Sequence, residues 1–204
     1  MNMLNVMAHM QEEHNLQVHS EWRVQGYAYY RAIWVECAEM LDHFGWKWWK
    51  KQTADLDQVK LELVDIWHFG LSEIIRADAL TERLGIRLSE VEAASSPDAD
   101  EFRSAIEDLA ESSLRTKSFA LEPFIVAMCT LPMTYTELYG MYIGKNVLNQ
   151  FRQNNGYQSG EYRKLWAGRE DNEHLVELLA ESVGEPADLA ERLYAGLTER
   201  YQRN

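Results

Sequence analysis

Two pairs of acidic residues carry the chemistry this chain can be expected to do, Glu36 with Glu39 and Glu62 with Asp65. Each pair is spaced i,i+3, so on a helix both members project from one face, one turn apart. Their settings are apolar: AIWVECAEML around the first pair and VKLELVDIWHFGLSEII around the second. Carboxylates drawn into such surroundings are costly unless countercharge is supplied. Divalent cations supply it, and a donor set made only of oxygens selects Mg²⁺, Mn²⁺ or Ca²⁺ over Zn²⁺. The alternative is surface charge on amphipathic helices, or ion pairing with Arg31 or Lys60. Like charges at this spacing destabilise a helix that offers them no partner.

Other polar groups gather around these pairs. His68 lies three residues past Asp65 on the same helical face, either supporting a ligand or serving as a structural hydrogen-bonder. Gly45–Lys51 reads GWKWWKK, three indoles and three ammonium groups that include Lys47 and Trp48. It is either a hydrophobic plug with solvated lysines or a stacking ring with phosphate-contacting charge at the mouth of a metal site. Downstream, in GKNVLNQFRQNNGY, Lys145, Asn149 and Arg152 (or Gln153) fall on one helical stripe. Such donors suit phosphate oxygens and a base carbonyl, though an ordinary polar helix end reads the same way. Gly140 and Gly144 would let another backbone or a ligand approach closely, and Arg163, Lys164 and Arg169 keep this segment basic.

The elements that must position these groups are helices. Apolar periodicity and capping residues predict helices over 3–18, about 27–44 with a stop at Gly45, and 55 to about 83 with Asp55 as N-cap. Further helices are expected over about 98–113, 117–129 and 134–153, the last opened by the capping box Thr134–Glu137. Asp171 is expected to cap a helix ending near Val183, and Pro186 to open one reaching about 201. The polar stretch from Gly85 to Asp100 reads as a variable excursion, and no alternating strand of useful length is visible. The expectation is one all-α domain over 1–204, with its core at about 3–83 and 117–182 and an excursion at about 84–116. The connection at 45–55 makes the two carboxylate helices an antiparallel hairpin.

Composition narrows the function. A net charge of -13 repels a polyanionic duplex, which excludes nucleic-acid polymers as partners but leaves room for a small anion on metal ions. The only cysteines, Cys37 and Cys129, sit in apolar helical patterns and read as buried thiols of a reducing compartment. The N-terminus has neither a basic start nor a cleavage site, and no apolar run approaches the roughly 18 residues of a membrane span. A soluble cytoplasmic protein is therefore expected. There is no GxxxxGK[ST] loop, no GxGxxG after a strand, no zinc-spaced Cys/His cluster and no nucleophile elbow.

WVECAEMLDHFGWKWWKK, KLELVDIWHF and YIGKNVLNQFRQNNGY, followed by GEY, LW and EDN, resemble the dimeric dUTPases of the all-α nucleoside triphosphate pyrophosphatases. The resemblance covers about residues 11–75 and 135–175. It implies a homodimer that hydrolyses dUTP, and dUDP as a second substrate, to dUMP, with attack at the beta-phosphate. It also implies two or three Mg²⁺ ions, replaceable by Mn²⁺, on Glu36, Glu39, Glu62 and Asp65, with Glu36 as the base that activates water. Trp48 and His68 would close the nucleoside pocket, and Gln11, Asn15 and Asn149 would read uracil. Lys145, Arg152 and Lys164 would hold phosphates, with Tyr157 near the sugar or phosphates. One departure stands out: Leu16 follows Asn15 where the family carries an acid. A pyrophosphatase acting on dCTP or a modified nucleotide, or a nucleotide binder without turnover, are the alternatives.

Overall fold

A computed structural model describes residues 2–182 and 188–202. Among these residues the protein is all-α, with nine α-helices, one short 3-10 helix (Trp22–Val24) and one two-stranded hairpin of minimal length. The chain forms two compact units, Met1–Tyr139 and Gly140–Asn204.

In the first unit, helix α1 (Met3–Val18) starts at Asn2, whose side chain accepts from the Asn5 backbone N–H, and buries Leu4, Met7, Ala8, Gln11 and Asn15 along one face. Helix α2 (Tyr29–Phe44) buries Ile33, Cys37, Met40 and Phe44 at steps of three and four, and ends at Gly45, whose φ of 96° suits a residue without Cβ. Helix α3 (Leu56–Arg76) opens on the Asp55 cap and is buried on nearly every side, so it forms the centre of the unit. It packs against both α1 and α2. Contacts between α2 and α3 run in opposite directions along the two helices. The Asp55 backbone N–H donates to the His43 carbonyl, whereas Glu36, two turns back on α2, meets Glu62 and Asp65 on α3. The pair is an antiparallel hairpin.

Three expectations are corrected in this unit. Helix α3 stops at Arg76 rather than near 83, because Asp78 takes a left-handed φ of 51° and Thr81 caps a separate helix, α4 (Glu82–Ser89). Part of the supposed polar excursion is thus amphipathic helix that buries Leu84 and Leu88. Helix α5 (Ala99–Thr116), capped by Asp98, packs on α2, where the Phe102 ring stacks on Phe44 at 4.1 Å between centroids. Helix α6 (Leu121–Cys129) begins later than expected, because Ser118 and Phe119 are bound instead to the buried Glu73 carboxylate at the end of α3. Helix α7 (Tyr135–Asn154) carries the expected Thr134–Glu137 capping box.

In the second unit, the strands β1 (Leu165–Trp166) and β2 (Arg169–Glu170) pair antiparallel across Ala167 and Gly168, both at positive φ. Two-residue strands are too short to leave an alternating pattern in the sequence. Helix α8 (Asp171–Glu181) is capped by Glu170 in a box with Glu173, not by Asp171, whose side chain turns inward. Helix α9 (Leu189–Gln202) follows, and the expected opening at Pro186 lies outside the described residues, as does the expected end near Val183. Phe151, Tyr162, Trp166 and Tyr201 form an aromatic core for this unit. Among the described residues no helix is long and apolar enough to cross a membrane.

Candidate metal and nucleotide site

The hairpin of α2 and α3 brings three of the four expected carboxylates together. One oxygen each of Glu36, Glu62 and Asp65 lie within 4.8 Å of one another, with Glu62 buried and the other two half-buried. Glu39 is exposed and outside this group. Oxygens about 2.0–2.6 Å from a shared ion stand at most about 4–5 Å apart, so the spacing and the all-oxygen donor set fit one divalent cation. Three carboxylates this close repel one another unless positive charge sits among them. His43, absent from the sequence reading, stands at the edge of the group with Nε2 3.5 Å from Glu62 Oε1. Cys37, beside Glu36, is no rival nucleophile: burial and the Glu36 charge push its thiol up to about 12, so it stays protonated.

A chain of buried polar side chains runs through the same unit. Gln11 Nε2 donates to Asn15 Oδ1 at 3.1 Å, and Gln11 Oε1 lies 2.7 Å from His68 Nδ1. Asn15 Nδ2 donates to Ser72 Oγ at 3.0 Å. The turn spacing of α1 carries Gln11 and Asn15 to one face, and that of α3 carries His68 and Ser72 to another. Leu16, the residue that departs from the family pattern, is 47% exposed and takes no part.

The Trp segment is not a plug. Trp46 and Trp49 are about half exposed and Trp48 is 91% exposed, whereas Trp22, Trp67 and Trp166 are fully buried. The turn is held from below: the Lys47 backbone N–H donates to Gln52 Oε1 at 2.7 Å, and Trp46 Nε1 and Lys47 Nζ both reach Asp42 Oδ1. Hydrogen bonds from Trp46 and Lys47 hold the Asp42 carboxyl below its usual range.

In the second unit, the cations that the sequence singled out meet partners that it did not. Lys145, fully buried, donates from Nζ to Asn172 Oδ1 at 2.8 Å. Arg152 grips Asp171 with two bonds of 2.8 Å and reaches Asn149 Oδ1 at 3.2 Å. Tyr162 adds a third bond to Asp171 at 2.8 Å. Lys164 pairs with Glu170 at 3.0 Å, and Tyr157, half exposed, lies under the Arg152 guanidinium. Burial alone would raise the Asp171 carboxyl, but Arg152, Tyr162 and the Lys145 charge outweigh it and hold the group below the ordinary carboxylate range. Gly144 serves packing, since a Cβ there would meet Leu179 at 3.0 Å, while Gly140 faces open space. The Asp171-Asn172 dipeptide at the start of α8 was the available signal for these partners.

Helices throughout, with carboxylates converging in a unit that also holds a buried amide chain, define an all-α protein with a candidate oxygen-donor metal site. The chain belongs to the dUTPase family, whose profile matches residues 3–157, and within it to the dimeric all-α dUTPases that its motifs resemble. The matched span contains all four expected carboxylates and every expected binding residue except Lys164. Membership supports dUTP hydrolysis as the broad activity and a nucleotide as substrate. No curated protein matches the chain.

Proposed function

We propose that the protein hydrolyses dUTP to dUMP and pyrophosphate, and dUDP to dUMP and phosphate, with Mg²⁺ held by Glu36, Glu39, Glu62 and Asp65. The observation that carries this reading is the convergence of three carboxylates within 4.8 Å in a chain of the dUTPase family. Two or three Mg²⁺ ions, or Mn²⁺ in their place, would neutralise triphosphate charge and acidify water at such a site. Glu36, half-buried, accepts the proton of the attacking water; one water O–H breaks, a P–O bond forms and a phosphoanhydride bond is cleaved. Gln11 and Asn15 read the uracil edge, and His68 and Trp48 close on the nucleoside. Lys47 supplies phosphate-contacting charge at the exposed turn.

For the second unit the proposed role is anion and nucleoside binding. Lys145, Arg152 and Lys164 contact phosphate oxygens, Asn149 the base, and Tyr157 the sugar or phosphates. Leu16, the departure from the family pattern, lies outside the Gln11–Asn15 chain, so it leaves the hydrogen bonds of the proposed uracil-reading pair in place. A homodimer in the cytoplasm completes the reading, supported by the partly exposed apolar Trp34 and Val35 on α2.

The deciding experiment measures pyrophosphate release from dUTP, dCTP, dTTP and UTP, and phosphate release from dUDP, each with and without Mg²⁺. Metal-dependent turnover confined to dUTP and dUDP is the expected result. Preference for dCTP would replace the substrate, and binding without turnover would remove the enzyme.

A further inference from the structure

Ser72 closes the buried amide chain on itself. Its Oγ lies 2.9 Å from the main-chain carbonyl of His68, one turn earlier in α3. A carbonyl oxygen only accepts, so the hydroxyl proton is committed to it. Towards Asn15 the serine oxygen must then accept, and Asn15 Nδ2 stands at 3.0 Å while its Oδ1 is further off, at 3.5 Å.

The polarity propagates from there. With Nδ2 turned to Ser72, Asn15 presents Oδ1 to Gln11, which can meet it only with Nε2, as observed at 3.1 Å. Gln11 therefore presents Oε1 to His68, 2.7 Å from Nδ1, and an amide oxygen requires a proton on that nitrogen. The circuit starts at the His68 main chain, passes through Ser72, Asn15 and Gln11, and returns to the ring of the same residue. All four side chains are buried, at 6% exposure or less, so water does not substitute for a missing bond. Turning over either amide would set donor against donor and acceptor against acceptor.

We infer that Ser72 is a positioning residue: through the His68 carbonyl it fixes which way the Asn15 and Gln11 amides point and places the His68 proton on Nδ1. This rests on the proposed role of Gln11 and Asn15 in reading the base. Uracil and cytosine differ by an exchange of donor and acceptor on one edge, so an amide pair locked in one orientation discriminates between them, and an amide free to turn does not.

The test has two readouts. Imidazole ¹⁵N spectra of the wild-type protein, assigned by loss of the signals in His68→Asn, report the His68 tautomer without substrate or metal; a protonated Nδ1 is expected. An Nε2–H tautomer overturns the circuit whatever the activity. The second readout is the ratio of kcat/KM for dUTP to that for dCTP in Ser72→Ala, with helicity checked by circular dichroism. That ratio is expected to fall by about tenfold, roughly one hydrogen bond's worth, through the dUTP KM more than kcat, with mixed His68 tautomers. An unchanged ratio and an unchanged tautomer in Ser72→Ala overturn the positioning role. A wild-type protein without preference for dUTP fails the proposed function instead, and the tautomer still decides the circuit.

Discussion

Arg103 clasps the carbonyl oxygen of Gly45, with Nε at 3.2 Å and Nη2 at 2.7 Å. The guanidinium comes from α5 and its target is the residue that ends α2 and starts the Trp-rich turn. The same group lies over the Phe44 ring at 5.7 Å, so α5 supports the turn both by hydrogen bonds and by cation–π contact.

Removing this clasp should be felt in two places. Arg103→Ala is expected to cost about 1.5–3 kcal/mol, the range for hydrogen bonds to a charged group. It should also raise the KM for dUTP by loosening the Lys47–Trp48 turn while leaving kcat little changed. Thermal unfolding and steady-state kinetics on one preparation check both, and an unaltered KM would separate α5 from the turn.

The carboxylates should differ in kind. Glu36→Gln, Glu62→Gln and Asp65→Asn are each expected to abolish turnover, by at least about 10³-fold, with helicity intact and with loss of Mg²⁺-dependent thermal stabilisation. Glu39→Gln, whose parent side chain is exposed and outside the group, should instead raise the Mg²⁺ concentration needed for half-maximal rate. Magnesium titrations of the four variants decide the ranking.

That ranking marks the limit of what could be read beforehand. The i,i+3 spacing of Glu36/Glu39 and Glu62/Asp65 is a local property of a helix, so the faces were legible from the chain alone. Which carboxylates converge depends on the register of α2 against α3, and spacing does not encode register. Contacts such as Asn15 to Ser72 and Arg103 to Gly45, 57 and 58 residues apart, were hidden for the same reason: periodicity shows that a face is buried, not what it meets. Helix α4 was missed because eight residues with two buried leucines carry too little pattern against their polar neighbours.

Acid should act on the second unit through Asp171. Its folded pKa is depressed, so the stability it contributes is fully present above the unfolded value of 3.8 and is lost as pH falls through the lower folded value. Asp171→Asn is expected to destabilise the protein near neutrality by about 3 kcal/mol, the low end for breaking a buried pair, and to flatten the acid limb of the stability profile. Chemical denaturation between pH 7 and 2.5 measures both. Equal slopes for variant and parent would show that another group governs the limb.

Gly70 lies on the packed side of α3, where an added Cβ would stand 2.6 Å from the Phe119 ring. That ring packs against both Trp67 and Phe124, which stack on each other, so moving it disturbs an aromatic cluster. Gly70→Ala should therefore destabilise by about 1–3 kcal/mol, against the gain in helix propensity that alanine normally brings. A raised melting temperature would contradict the close approach.

The uneven burial of the indoles has an optical consequence. Trp22, Trp67 and Trp166 emit from a dry interior, whereas Trp48 stands almost wholly in solvent. Iodide should extinguish the red-shifted part of the emission first and leave the blue part as an internal standard. A nucleotide stacked on Trp48, as proposed above, would shield it from the quencher, and the red-shifted emission would then report occupancy.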